Sequence, residues 1–209
     1  LERSRSSRPN DPAVARSLGI AYYKAGRFPD ARAHLDHAVR LNPRDGAAAL
    51  YLGLTAEQQK DMPGAKAAYE TYVRYGKTSK VRKQLEARLA AMTRLELQAT
   101  AKAAVAQEQQ LATQAGSLTT VAVMPLRFVG PDTTLQPLER GMAELITTDL
   151  SRSNQLVVVE RARLQALLNE IQLQQSGATD STTNVRAGKI IQAGRIVNGQ
   201  ILQSAERLR

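Results

Sequence analysis

The chain has 209 residues and a formal charge of +10, with no cysteine, no tryptophan and only two phenylalanines. That length allows one or two domains with a real core, and the core has to be built from Leu, Val, Ile and Ala. The lack of cysteine excludes disulfides and thiolate metal sites without fixing the compartment, and no run approaches the roughly eighteen apolar residues of a membrane-crossing helix.

The basic excess is spread along the chain. Nine basic residues face five acidic ones over 1–45, ten face six over 46–117, and ten face eight over 118–209. The densest cluster is Lys77, Lys80, Arg82, Lys83 and Arg88. No aromatic residue interleaves it to stack on bases, so specific nucleic-acid binding is not expected. A solvated helix face accounts for the cluster first, and contact with an acidic protein or lipid headgroup second.

Residues 1–11 are rich in Ser and Arg and read as a linker or a disordered segment. From 12 to 77 a repeat follows. Leu18-Gly19, Tyr22, Gly26, Ala31, Ala38 and Pro43 return as Leu52-Gly53, Ala56, Lys60, Ala65, Tyr72 and Lys77. The shift of about 34 residues and the residues themselves resemble the tetratricopeptide (TPR) repeat, a pair of antiparallel helices. Gly19 and Gly53 on the first helices, with Ala31 and Ala65 on the second, predict close helix approach. The second copy departs from the pattern at Lys60, Tyr72 and Lys77, and its turn is expected at Asp61-Met62-Pro63-Gly64.

Two copies leave an apolar end open, and the segment 78–117 is the expected cover. From Thr78 to Ala115 it holds neither proline nor glycine and is dominated by helix formers. A single helix there would be about 57 Å long. Val81, Leu85, Leu89 and Met92 form a stripe suited to packing on the second repeat. Beyond Leu97 the stripe weakens to alanines, which predicts an exposed spacer or a helix that pairs with another subunit.

Residues 118–209 switch to short apolar runs between amphipathic helices. Val121 to Leu126 reads as a buried strand ended by Pro125. Leu135, Leu138, Met142, Leu145, Ile146 and Leu150 share one helix face. Leu156 to Val159 is a second strand. A helix carrying Leu164, Leu167, Leu168 and Ile171 follows and stops in the polar stretch from Gln174 to Thr183, which holds Gly177. A third helix carries Val185, Ile190 and Ile191, with Gly194 as its cap, and Ile196 to Leu202 is a third strand. Near-continuous apolar strands fit a sheet covered by helices. The last strand has no evident partner, and an open edge of that kind invites another chain. The expected fold class is therefore α+β and multidomain: all-α helical hairpins and a long helix, then a three-layer α/β domain.

Four segments of this region, taken together in order and spacing, resemble the curli-secretion (CsgG-like) family: Val121 to Leu126, Gly141 to Leu150, Val158 to Glu170, and Ile196 to Ile201. The opening strand and helix also resemble the amino-terminal domain of TolB. The resemblance covers the front part of the family's domain, and its membrane-spanning hairpins would follow the third strand. No stretch of alternating polarity marks a barrel strand in this sequence.

The resemblances carry the functional expectations. In TPR folds the first helix of each pair lines a concave groove. That implies a protein or peptide partner held by Arg16, Ile20, Tyr23, Lys24, Leu50, Tyr51, Leu54, Glu57 and Gln58, unless the groove packs on the rest of the chain. Asp149, Glu160 and Arg161 read as helix caps and ion pairs, with Asp149 as a partner for Arg161. The family resemblance would also allow them a subunit contact in a homo-oligomer.

No catalytic group, cofactor or metal is expected. Gly76-Lys77-Thr78 lacks the upstream glycine and strand of a phosphate-binding loop. Asp30, His34 and His37 share a helix face, but read as a solvated one. The expectation is a non-enzymatic envelope assembly or secretion accessory protein. It would be periplasmic and associated with the outer membrane through parts outside this sequence, with an export signal or lipid-anchor cysteine upstream of Leu1. The alternative is a regulatory or sensory module that binds an effector through the TPR and TolB-like parts.

Overall fold

The computed structural model describes residues 10–174, 180–204 and 207–208, which divide into two compact units, residues 1–94 and 95–209. Residues 1–9 of the expected linker at 1–11 and the break at Gly177 lie outside the described residues, and Asp11 of that segment is instead the cap of the first helix.

The first unit holds two helical hairpins, α1 (Pro12–Lys24) with α2 (Phe28–Leu41) and α3 (Gly46–Gln58) with α4 (Met62–Tyr75). Three of these four helices start at an aspartate whose carboxylate takes orphan backbone N–H groups of the first turn. Asp11 accepts from Ala13 at 2.8 Å, Asp45 from Ala48 at 3.1 Å and Asp61 from Gly64 at 2.9 Å. Proline in the first turn of α1, α2 and α4 costs nothing, because the N–H it lacks would have no helical partner.

Small residues set the helix spacing. A Cβ on Gly19 would stand 2.5 Å from Leu35 Cγ, and one on Gly53 would collide with the ring of Tyr69. Leu35 and Tyr69 are both fully buried and lie one repeat length apart, as the two glycines do. Each hairpin therefore places one large side chain of its second helix over one glycine of its first. Ala15, Ala31, Leu35, Ala38 and Ala48 form one core cluster, and Ala56, Ala65, Tyr69, Tyr72 and Leu85 form the next. Arg32 joins the hairpins by donating to Gln59 at 3.1 Å and pairing with Asp61 at 2.7 Å.

The turns follow the same register, against expectation for the second copy. Gly26 has φ 73° and Lys60 has φ 60°. The N–H groups of Gly26 and Arg27 reach back to Tyr23 and Tyr22, and those of Lys60 and Asp61 to Glu57 and Ala56, all at 2.9–3.0 Å. Lys60 thus takes the left-handed conformation itself. Met62-Pro63-Gly64 is the first turn of α4, capped by Asp61, and does not form the reverse turn.

The helix-forming run after the repeats is two helices, α5 (Ser79–Ala106) and α6 (Glu108–Ala112). Ser79 stands one repeat length after Asp45, so α5 begins where the first helix of a third repeat would. Leu85 is buried in the second cluster, with Val81, Leu89 and Met92 beside it. The later part of α5 belongs to the second unit and is packed there, contrary to the expected exposed spacer. Ala101 and Val105 are buried in that unit's core.

The second unit is a three-layer α/β arrangement. Its central strand β1 (Ser117–Val123) runs parallel to β3 (Val157–Val158) on one side and β4 (Ala193–Val197) on the other. Side chains alternate between the two faces of a strand. Ala122 and Met124 join Leu164, Leu167, Leu168 and Ile171 of α8 (Arg161–Gln174) and Ala187 and Ile190 of α9 (Asp180–Ile190). Val123 and the following Leu126 pack with Ala143, Ile146 and Leu150 of α7 (Leu138–Ser151). Arg186 of α9 grips Glu108 of α6 with two bonds of 2.6 Å, which holds that guanidinium more firmly protonated than usual.

Several local expectations differ from the structure. The expected third strand is two, β4 and β5 (Gln200–Ser204), separated at Asn198-Gly199. A strand missed in the sequence, β2 (Arg127–Val129), pairs in parallel with β5. Met124 donates to Val197 and Arg127 to Gly199, at 2.8 and 3.1 Å, so the β1–β4 ladder passes into the β2–β5 ladder. The end of the sheet has a partner within the chain, because β6 (Arg207–Leu208) is antiparallel to β5. Gly194 is no helix cap: it lies in β4, where a Cβ would collide with the carbonyl of Ser117. The helix instead ends through Gln192 at φ 55°. Met142 and Leu145 point outward at 40% and 60% exposure, and Val185 is 52% exposed. Ala143 of α7 and Ala187 of α9 are buried, with Ile146, Leu150 and Ile190 beside them, and both alanines are small enough to let the helices close on the sheet.

Two outcomes follow from these contacts. A left-handed lysine carries about 1–2 kcal/mol of strain, offset in part by the freedom glycine adds to the unfolded chain. Lys60→Gly should therefore raise the unfolding free energy by about 0.5–1 kcal/mol in urea titrations, and Gly26→Ala should lower it by about 1 kcal/mol. The Gly64 N–H and then Arg32 hold the Asp61 carboxyl below its ordinary value of 3.8. Its contribution to stability is complete above that value and disappears as pH falls through the lower folded value. Melting temperature should accordingly drop below about pH 4, and the drop should be shallower in Asp61→Asn.

Candidate partner-binding surfaces

The first helices of the two hairpins place the nine predicted groove residues on two neighbouring elements, four on α1 and five on α3. Tyr23 and Tyr51 meet edge to face with centroids 5.4 Å apart, and Tyr23 also tilts against Phe28 at 5.9 Å. Such pairs prefer this geometry because the positive ring edge meets the negative face. Ile20, Tyr23 and Tyr51 pack on the first core cluster, and Leu50 and Leu54 on the second. All five are only partly buried, so each has an inner side in the core and an outer side at the surface. Lys24 and Gln58 are exposed.

The two other charged residues are engaged within the unit. Arg16 pairs with the buried Asp45 at 2.7 Å, while Asp45 also caps α3. Glu57 receives both arms of the Arg88 guanidinium at 2.5 Å, a contact that holds Arg88 protonated beyond its usual range. Behind this pair the phenol of Tyr69 is pushed well up, first by burial and then by the Glu57 carboxylate. Asp45 and Arg88 were not read from the sequence as neighbours of the groove. The aspartate before a helix start was a usable signal for Asp45. Nothing local pointed to Arg88, which is 31 residues from Glu57.

The basic cluster is also partly absorbed by the fold. Arg82 donates to the Gly76 carbonyl at 2.6 Å, and Arg88 is taken by Glu57. On α2, Asp30 accepts from Arg27 at 2.8 Å and His34 stacks on Tyr22 with centroids 5.2 Å apart. Among the described residues no group of three or more His, Asp or Glu could hold a metal.

The second predicted set does not assemble as expected. Glu160 is exposed and its carbonyl accepts from Leu164, so it begins α8 through its backbone. Arg161 reaches α7, pairing with Glu144 at 3.2 Å and donating to the Arg140 carbonyl at 2.7 Å. Asp149 instead pairs with Arg152 at 3.1 Å, both largely exposed. Five residues of helix separate Glu144 from Asp149 and turn the latter about 140° away from Arg161. Arg161→Ala should accordingly cost about 1 kcal/mol of stability in chemical denaturation, while Asp149→Ala should change it by less than about 0.5 kcal/mol.

The described helices include none long and apolar enough to cross a membrane. The family model of the tetratricopeptide repeat matches residues 16–79, and that of the curli production assembly/transport component CsgG matches residues 89–208. No curated protein and no solved structure matches the chain. The hairpins of the first unit and the parallel three-layer unit after them agree with this order. The CsgG match extends over more than half of the sequence, and the chain belongs to the family of the curli production assembly/transport component CsgG, with tetratricopeptide repeats preceding that domain.

Proposed function

We propose that the protein is a non-enzymatic accessory of envelope assembly or secretion, acting on the periplasmic side of a bacterial outer membrane. Its repeats recruit a protein partner along α1 and α3, and its CsgG-family domain docks or oligomerises. Membrane association through segments outside this sequence belongs to the same proposal. The observation that carries the reading is the union in one chain of a CsgG-family domain with a TPR surface whose Tyr23–Tyr51 pair is only half-buried. Rigid aromatic side chains of that kind bury large area at little entropic cost when a partner arrives. Glu57 and Arg16 are fixed by their ion pairs, which orders the groove before binding.

A photo-crosslinking residue at Lys24 or Gln58 in the native host tests this. One envelope protein should be captured from both positions, and capture should fall at least about tenfold with Tyr23→Ala and Tyr51→Ala together. Equal capture from a crosslinker at Arg40 on α2, or recovery of the protein in the cytoplasmic fraction, would overturn the reading.

A further inference from the structure

The second unit contains an open cavity of about 670 Å³ beyond the carboxyl ends of two parallel strands. Pro125 and Leu126 line it just after β1, and Asn198 and Gly199 just after β4. The sheet order is β3-β1-β4, so the chain leaves β1 toward β3 on one side and later returns to β4 on the other. Beyond their ends β1 and β4 stay joined through Met124–Val197 and Arg127–Gly199 and run on as β2 and β5, whose Arg127 and Gln200 line the cavity. In open parallel sheets ligands commonly bind outside the carboxyl ends of the strands.

The lining has a particular chemistry. Arg127 and Arg140 both face the cavity. Elsewhere in the unit Arg152, Arg161 and Arg186 are each held by a carboxylate, while Arg163 and Arg195 have none among the described residues and do not line the cavity. Neither Arg127 nor Arg140 has such a partner among the described residues. The one acid in the lining, Glu139, accepts the Phe128 N–H at 2.7 Å through one of its two oxygens, so the lining carries two positive charges against one negative. Gln165 and Gln172 of α8, Asn184 of α9 and Gln200 of β5 add amides that can donate and accept. Thr183 lines it too. It is a buried polar residue, at 5% exposure.

We propose that this crevice binds a small hydroxylated anion, of the class of sugar phosphates and sugar acids. The two guanidiniums take the oxyanion, for which their planar donor forks are matched. The amides and Thr183 take the hydroxyl groups. Pro125, Leu126 and Leu168 are the apolar part of the lining. The volume falls within the range of small-molecule sites. The cavity is built wholly from residues after 124, so binding there is independent of the repeat groove.

Calorimetric titration of the full chain with glucose 6-phosphate, glycerol 3-phosphate and gluconate tests the proposal, with glucose and inorganic phosphate as the two halves of the ligand. At least one hydroxylated anion should bind, at least about tenfold more tightly than glucose or inorganic phosphate. Arg127→Gln and Arg140→Gln should each weaken it at least about tenfold, while Lys80→Gln should leave it unchanged. The Gly199 amide resonance should shift on binding in the parent protein. No binding by any of the three anions up to about 10 mM, equal binding of inorganic phosphate, or indifference to both arginine substitutions would overturn the assignment.

Discussion

Burial of the end of β1 on both faces is the constraint on which the second unit depends. Where helices cover both sides of a strand it has to be apolar at every position, so Val121, Ala122, Val123 and the following Met124 are all buried, while Ser117 to Thr119 at its start are exposed. Parallel neighbours follow, since the helical crossovers that cover the two faces also set the strand direction. Burying those four side chains contributes several kcal/mol, on the scale of about 25 cal/mol per Å² of apolar surface. The same strand leads directly into Pro125 and Leu126, so the element that organises the core also delivers the residues that open the crevice beside β4.

In the first unit the corresponding constraint is the register of the repeat, kept by physically different residues. Leu35 and Tyr69 perform one task over Gly19 and Gly53. Gly26 and Lys60 perform another in the turns, the second at a cost in backbone strain. Asp11, Asp45 and Ser79 fall at the same phase, and two of them are helix caps with hydrogen bonds to show for it. The two copies agree in geometry more closely than in side-chain identity, because the limits are the separation of two helix axes and the sign of φ in one turn residue.

Ion pairs among the described residues mostly link one helix to another. Arg16–Asp45, Arg32–Asp61 and Arg88–Glu57 join helices of the first unit, and Arg161–Glu144 and Arg186–Glu108 join helices of the second. Each involves at least one partly exposed partner, so their value lies more in orientation than in stability. A groove whose charged residues are already paired changes little on binding, and its affinity has to come from the half-buried aromatic and aliphatic side chains between them.

The sequence by itself determined the two hairpins, through their resemblance to the tetratricopeptide repeat, and, by periodicity and composition, the stripe of α5, the apolar face of α8 and the existence of an α/β unit. Each of these is a local pattern: the repeat length for the hairpins, the helical period for the stripes and short apolar runs for buried strands. Only the tertiary structure decided which partner each charged side chain takes. Arg161 chose Glu144 over Asp149, and Glu57 found Arg88, because the angular position of a residue on a packed helix matters more than its distance along the chain. The same holds for β2 and for the division of the last strand at Asn198-Gly199: strands as short as β2 carry no periodic signal and form where a neighbouring backbone offers its donors and acceptors. Gly194 and Lys60 make the point at single residues. A glycine suited to a helix end is needed where β4 presses on Ser117, and a lysine holds the left-handed turn, because the space and the dihedral at those positions are imposed by contacts from elsewhere in the fold.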